Sequence, residues 1–228
     1  MKKFLIPAFS LALFLALGQI ASAQVVRNGA ERASDRNQIA RDQATIKRDK
    51  QELAQFRGLQ QGLGQAVQNG QVAMAKGYHQ KLLRAMEMEI QQGQAKIKQA
   101  KGEVVGSRSE VRSERRDVNS SHAQGKPIQA ADDRRDLRDD KRDLRDDKSD
   151  LAELKRRNGR QQEILAIFKA VKVDSRNDVT ALWAKKNLLE EFETTMVRDM
   201  GENYEELRED KGELREDRRE TREDRRQN

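Results

Sequence analysis

Leucine recurs at every seventh residue in a field of charge. Leu137-Arg-Asp-Asp-Lys-Arg-Asp is followed by Leu144-Arg-Asp-Asp-Lys-Ser-Asp, and Leu207-Arg-Glu-Asp-Lys-Gly-Glu by Leu214-Arg-Glu-Asp-Arg-Arg-Glu. Seven residues make two helical turns, whereas a strand alternates with period two, so the repeat specifies helix. A second series, Leu83, Ile90, Ile97, Val104, Val111 and Val118, keeps the same spacing.

Punctuation divides this pattern into four helices. The first opens at about Ser34, a good N-cap, and stops at Asn69-Gly70; its apolar line is Ile39, Ile46, Leu53, Phe56, Leu63 and Val67. The second runs from about Gln71 to Val118 and ends in the polar stretch 119–126, which contains Gly125. Pro127 suits the first turn of a third helix, whose line runs from Leu137, Leu144, Leu151 and Leu154 to Ile164, Leu165, Ile167, Phe168 and Val171. Ser175-x-x-Asp178 reads as a capping box that opens a fourth helix through Val179, Leu182, Trp183, Leu189, Phe192, Met196, Met200, Leu207 and Leu214.

Helices of this size are roughly 50 to 75 Å long, and short connections make neighbours antiparallel. The expectation is an all-α fold: an elongated antiparallel four-helix bundle or coiled coil, with hairpins over 34–118 and 127–228 joined by the loop 119–126. Phe56, Leu63, Tyr78, Leu83, Phe168, Trp183 and Phe192 then gather at one end, and the charged heptads at the other.

With Leu137 at position a, Arg138, Lys141 and Arg142 fall on one flank and Asp139, Asp140 and Asp143 on the other. The heptad at Leu214 repeats this with Arg215, Arg218 and Arg219 against Glu216, Asp217 and Glu220. Antiparallel pairing brings like flank to like flank. Three outcomes relieve this: the arms splay or pair weakly, they pair in parallel with a second copy, or cations fill the acidic seams. Exposed ion pairs contribute only about 0.3–0.5 kcal/mol each, so splayed or weakly paired arms are the expectation. Arg138, Asp140, Arg142, Asp147, Arg215, Asp217 and Arg219 are the candidate partner-binding residues.

Met1-Lys2-Lys3, an apolar run over 4–20, and Ala21-Ser22-Ala23 before Gln24 have the layout of a cleaved secretory signal, residues 1–23. Residues 24–33 then form a flexible N-terminus, and no transmembrane anchor is expected after cleavage. The run is short for a span and carries Pro7. The sequence holds no cysteine, so neither a lipidated N-terminus nor a disulfide framework is available. The expected location is the periplasm of a Gram-negative bacterium, or beyond it.

The net charge of +7 conceals an asymmetry: residues 24–126 carry 19 basic and 11 acidic side chains, residues 127–228 carry 25 and 28. The halves can attract each other, which weakens any inference from charge to nucleic acid. Arg108, Arg112, Arg115 and Arg116 are interspersed with acids and lack an aromatic platform, so nucleic acid is not an expected partner.

Catalytic groups are scarce. His79 and His122 sit in different segments, and no phosphate-binding glycine loop, nucleophile elbow or HExxH motif occurs. Carboxylates with an Arg or Lys within one turn are expected to keep ordinary pKa values. Soft thioethers at Met74, Met86, Met88, Met196 and Met200, with His79, form a candidate Cu(I) set, although methionine is also a common core gap-filler. Asp140, Asp143, Asp147 and Asp150 form a candidate line for Ca²⁺ or a similar hard cation. No cofactor is expected. The sequence thus points to a non-enzymatic exported protein, structural, adaptor or chaperone-like, working with a protein partner of the envelope or with a second copy of itself. A periplasmic metal-binding or metal-stress role is the alternative.

Overall fold

A computed structural model describes the chain over residues 9–227, with side chains for residues 36–212, 214, 215, 218 and 219. The protein is all-α. Five helices follow in order: α1 (Phe9–Gln68), α2 (Val72–Ala123), α3 (Pro127–Lys169), α4 (Arg176–Trp183) and α5 (Lys186–Gln227), with no strand among the described residues. Helix α1 runs through residues 24–33, where a flexible segment was expected, in keeping with the absence of proline between Pro7 and Pro127. Among the described residues no helix is long and apolar enough to cross a membrane.

Glycine closes the first two long helices. Gly70 takes φ +65°, its N–H donates to Val67 O at 3.0 Å, and Gln71 N–H donates to Ala66 O at 2.8 Å. Gly125 at φ +67° repeats the pattern, with Gly125 N–H on His122 O and Lys126 N–H on Ser121 O. Both are Schellman stops, which require the left-handed conformation that glycine adopts without steric cost. Pro127 sits in the first turn of α3. The Ser175 hydroxyl accepts from Asp178 N–H at 3.2 Å while the Asp178 carboxylate accepts from Ser175 N–H at 2.8 Å, completing the expected capping box.

That box opens a helix of eight residues, α4, rather than one running to the terminus. After Trp183 the ladder tightens: Lys185 N–H donates to Leu182 O at 3.0 Å, and Leu188 N–H to Lys185 O at 2.9 Å as α5 begins. Neither glycine nor proline marks this break, which is why the pattern does not show it.

The chain divides into two compact units, one comprising Glu52–Met196, the other the stretch up to Gln51 with that from Val197 onward. In the Glu52–Met196 unit, Phe56, Leu63, Leu82, Met86, Ile164, Phe168, Leu182, Leu189 and Phe192 are buried. The Phe56 and Phe192 rings stack at 5.4 Å between centres. Glycine gives the ring systems room: a Cβ on Gly64 would lie 2.7 Å from Trp183 Cη2, and one on Gly62 would run into the Tyr78 ring. Leu82 is fully buried and Leu83 half-buried, a correction to the heptad line: α2 packs against both α3 and α4, so a wider face than one heptad stripe is covered. Arg160 binds Glu191 through two parallel hydrogen bonds of 2.6 and 2.8 Å, joining α3 to α5, and Arg57 reaches Glu193 at 2.6 Å, joining α1 to α5.

In the other unit α1 lies along α5. Ile46, Leu207 and Leu214 are buried, Asn203 Nδ2 donates to Asp49 Oδ2 at 2.6 Å, and Lys50 Nζ sits 5.1 Å over the Tyr204 ring.

Candidate functional site

The feature that departs most from a packed domain is the arm formed by the later part of α2 and the earlier part of α3. Its core is thin. Ala100, Val104 and Leu151 form a buried cluster, flanked by Ile97, Leu144 and Leu154. Ser107 Oγ hydrogen-bonds Asp147 across the seam and fixes the antiparallel register. Counting outward in steps of seven from that pair sets Glu114 opposite Asp140 and Ser121 opposite Asp133. The apolar a positions therefore alternate with d positions filled by serine on α2 and aspartate on α3, except at the Glu114 layer, where two carboxylates meet.

Electrostatics follow from this placement. Glu114 is pushed above the usual carboxylate range by desolvation first, then by Asp117, Asp140, Asp136 and Asp133. Asp140 is raised by desolvation and by Asp143, Asp136 and Asp139. The expectation of ordinary values fails at these two residues because the seam desolvates them and, secondarily, because other carboxylates surround each of them. Arg135 pairs with Asp132 at 3.2 Å and Arg142 with Asp139 at 3.3 Å, both within α3.

At the tip, Ile128 is 81% exposed, beside a surface hollow of roughly 430 Å³ lined by Lys126, Pro127, Ile128, Gln129 and Asp132.

The candidate partner-binding residues separate. Arg138 and Arg142 are exposed, as are Arg215 and Arg219. Asp140 and Asp147 turn into the seam, half-buried, a correction to their assignment to an outer stripe. The reason is their spacing: each lies three residues after a seam leucine, which is a d position. Asp217 lies outside the described side chains. Of the two forms expected for the arms, splayed or weakly paired, α2 and α3 take a paired one and pack along each other.

The thioether set is divided. Met86 and Met196 are core residues, Met200 is half-buried, and Met74 and Met88 are exposed. His79 is 5% exposed, and its Nε2–H donates at 3.0 Å to Phe168 O in the last turn of α3, a carbonyl that also accepts from Val171 N–H at 3.2 Å. Burial holds His79 below its ordinary pKa, so the ring is neutral at neutral pH. Among the described residues no group of three or more His, Cys, Asp or Glu is placed to hold a metal ion. Asp143 and Asp150 are exposed, unlike Asp140 and Asp147, so the four do not form one line.

Sequence reasoning missed the inward carboxylates, including Asp42, which is 8% exposed in the α1–α5 pair. The signal was present as three-and-four spacing from the apolar positions, Asp42 from Ile39 and Ile46 and Asp140 from Leu137 and Leu144. The chain matches no family model, no curated protein and no solved structure.

Proposed function

We propose that this is an exported, non-enzymatic helical protein of the bacterial envelope that works by surface, as a structural, adaptor or chaperone-like component. One observation carries the reading: the α2–α3 arm buries only a line of small and medium apolar side chains, yet it continues for several heptads beyond the packed residues and ends in an exposed isoleucine. Such a segment adds little to the stability of a fold, so its length suits it to contact with something else. The fold is read as an elongated antiparallel four-helix bundle with a packed part and a charged heptad part, supported by the α2–α3 packing and by the Arg57–Glu193 and Arg160–Glu191 ties.

Export is supported by the signal-like start of the chain. Cell fractionation with N-terminal analysis tests it: a periplasmic protein beginning at Gln24 is expected, and a cytoplasmic protein beginning at Met1 rejects it. The binding role is tested by cross-linking in intact cells with a shortened arm, in which residues 108–146 are replaced by a tight turn. The expected result is a folded protein that loses a specific cross-linked polypeptide. The metal-binding alternative is separated by metal analysis of the protein isolated from its native envelope: bound metal with no polypeptide partner supports the alternative, a partner without metal supports the binding role.

A further inference from the structure

The arm's two edges carry opposite charge. With a positions at Val104, Val111, Leu137 and Leu144 in the seam, the flanking e positions are Arg108 and Arg115 on α2 and Lys141 and Lys148 on α3, all exposed. The g positions are Glu103, Glu110 and Asp117 on α2 and Asp136 and Asp143 on α3, also exposed. Antiparallel packing sets e beside e and g beside g. Glu114 senses Asp117 of its own helix together with Asp136 of the other, which places the two acidic flanks on one side of the seam. The arm is thus a two-helix ribbon with one basic and one acidic edge.

We infer that the ribbon docks on a second copy of this chain, the acidic edge of one arm against the basic edge of another. Two facts select this occupant. Charges on both edges recur every seven residues, about 10.5 Å along a helix, so the edges match in spacing as well as sign. Each edge is also internally like-charged, so the isolated arm carries repulsion that an opposite edge relieves. Because the two surfaces joined are different, the contact is heterologous and leaves one acidic and one basic edge free at the ends, so assembly continues beyond a dimer unless a ring closes. This inference holds wherever the protein resides, and does not depend on the envelope role.

Sedimentation velocity on the purified chain provides the test. At about 0.02 M salt, where screening is weak, species larger than a monomer are expected, and at about 0.5 M salt the monomer. Two variants isolate the edges: Glu110→Lys with Asp117→Lys and Asp143→Lys reverses three of the five acidic-edge residues, and Arg108→Glu with Lys141→Glu and Lys148→Glu reverses three of the four basic-edge residues. Each variant alone is expected to associate at least tenfold more weakly than the parent at low salt, and an equal mixture to form a complex. A parent that is monomeric at low salt overturns the inference, as does a single variant that associates as strongly as the parent or a mixture that stays apart. A parent that captures a polyanion without associating with itself also overturns it, assigning the basic edge to that ligand. The salt dependence of the parent supplies a readout that does not rely on any variant folding.

Discussion

Asp42 on α1 and Asp210 on α5 meet carboxylate to carboxylate, and Oδ2 of each is buried with no hydrogen-bond donor. Gln38 satisfies the other oxygen of Asp42 at 3.1 Å. Burial, then Asp210 and Glu206, push the Asp42 pKa up to about 6. A single proton held between the two carboxylates would supply the missing donor. The folded-state value lies above the ordinary 3.8, so the contribution of Asp42 to stability is complete below that value and is lost as pH rises through about 6.

Asp42→Asn supplies a donor and removes one charge at the same layer. It is expected to stabilise the α1–α5 pairing at pH 7 by on the order of 1 kcal/mol and to abolish its strengthening on acidification. Hydrogen exchange of the amides of residues 38–49, corrected for intrinsic rates between pH 7 and pH 5, measures this. Unchanged pH dependence in the variant would refute the shared-proton account.

His79 works in the opposite direction. Its folded-state pKa is depressed, so the stability it supports is present above the ordinary 6.5 and is lost as pH falls below that value, when the unfolded chain takes up a proton that the buried ring refuses. Thermal melts followed by Trp183 fluorescence should show Tm falling from pH 7 to pH 5. His79→Ala removes the bond to Phe168 O and leaves a void, at a cost of about 2–4 kcal/mol, and it should flatten that acid limb.

Glycines of α1 should respond oppositely to the same change. A Cβ on Gly58 meets nothing within 4 Å, so Gly58→Ala should stabilise by about 0.5–1 kcal/mol through helix propensity. At Gly64 the added carbon would meet the Trp183 ring, so Gly64→Ala should destabilise by about 1–3 kcal/mol. Chemical denaturation of the two variants checks the sign of each.

The stop at Gly70, the start at Pro127 and the capping box at Ser175 were legible because these residues act locally, whereas the second helix, expected to end at Val118, runs on to Ala123 before its stop at Gly125. Apolar residues such as Phe56, Phe168 and Phe192 declared their burial by type. The inward carboxylates did not: Asp42, Glu114 and Asp140 have the composition of surface residues, and only their offset from Ile39, Val111 and Leu137 marks them as seam positions. The break after Trp183 was hidden because no glycine or proline marks it. The candidate site depended on the register between α2 and α3, which no local signal supplies.

That register is also the most direct point of test, since the pairing of Glu114 with Asp140 and of Ser121 with Asp133 across the seam follows from it. The native chain has no cysteine, so an engineered pair reports without background. Ser107→Cys with Asp147→Cys is predicted to form a disulfide within one chain under mild oxidation, while Ser107→Cys with Asp140→Cys, one heptad away, stays reduced. An intramolecular 107–140 disulfide, or a 107–147 bond found only between chains, would contradict the account.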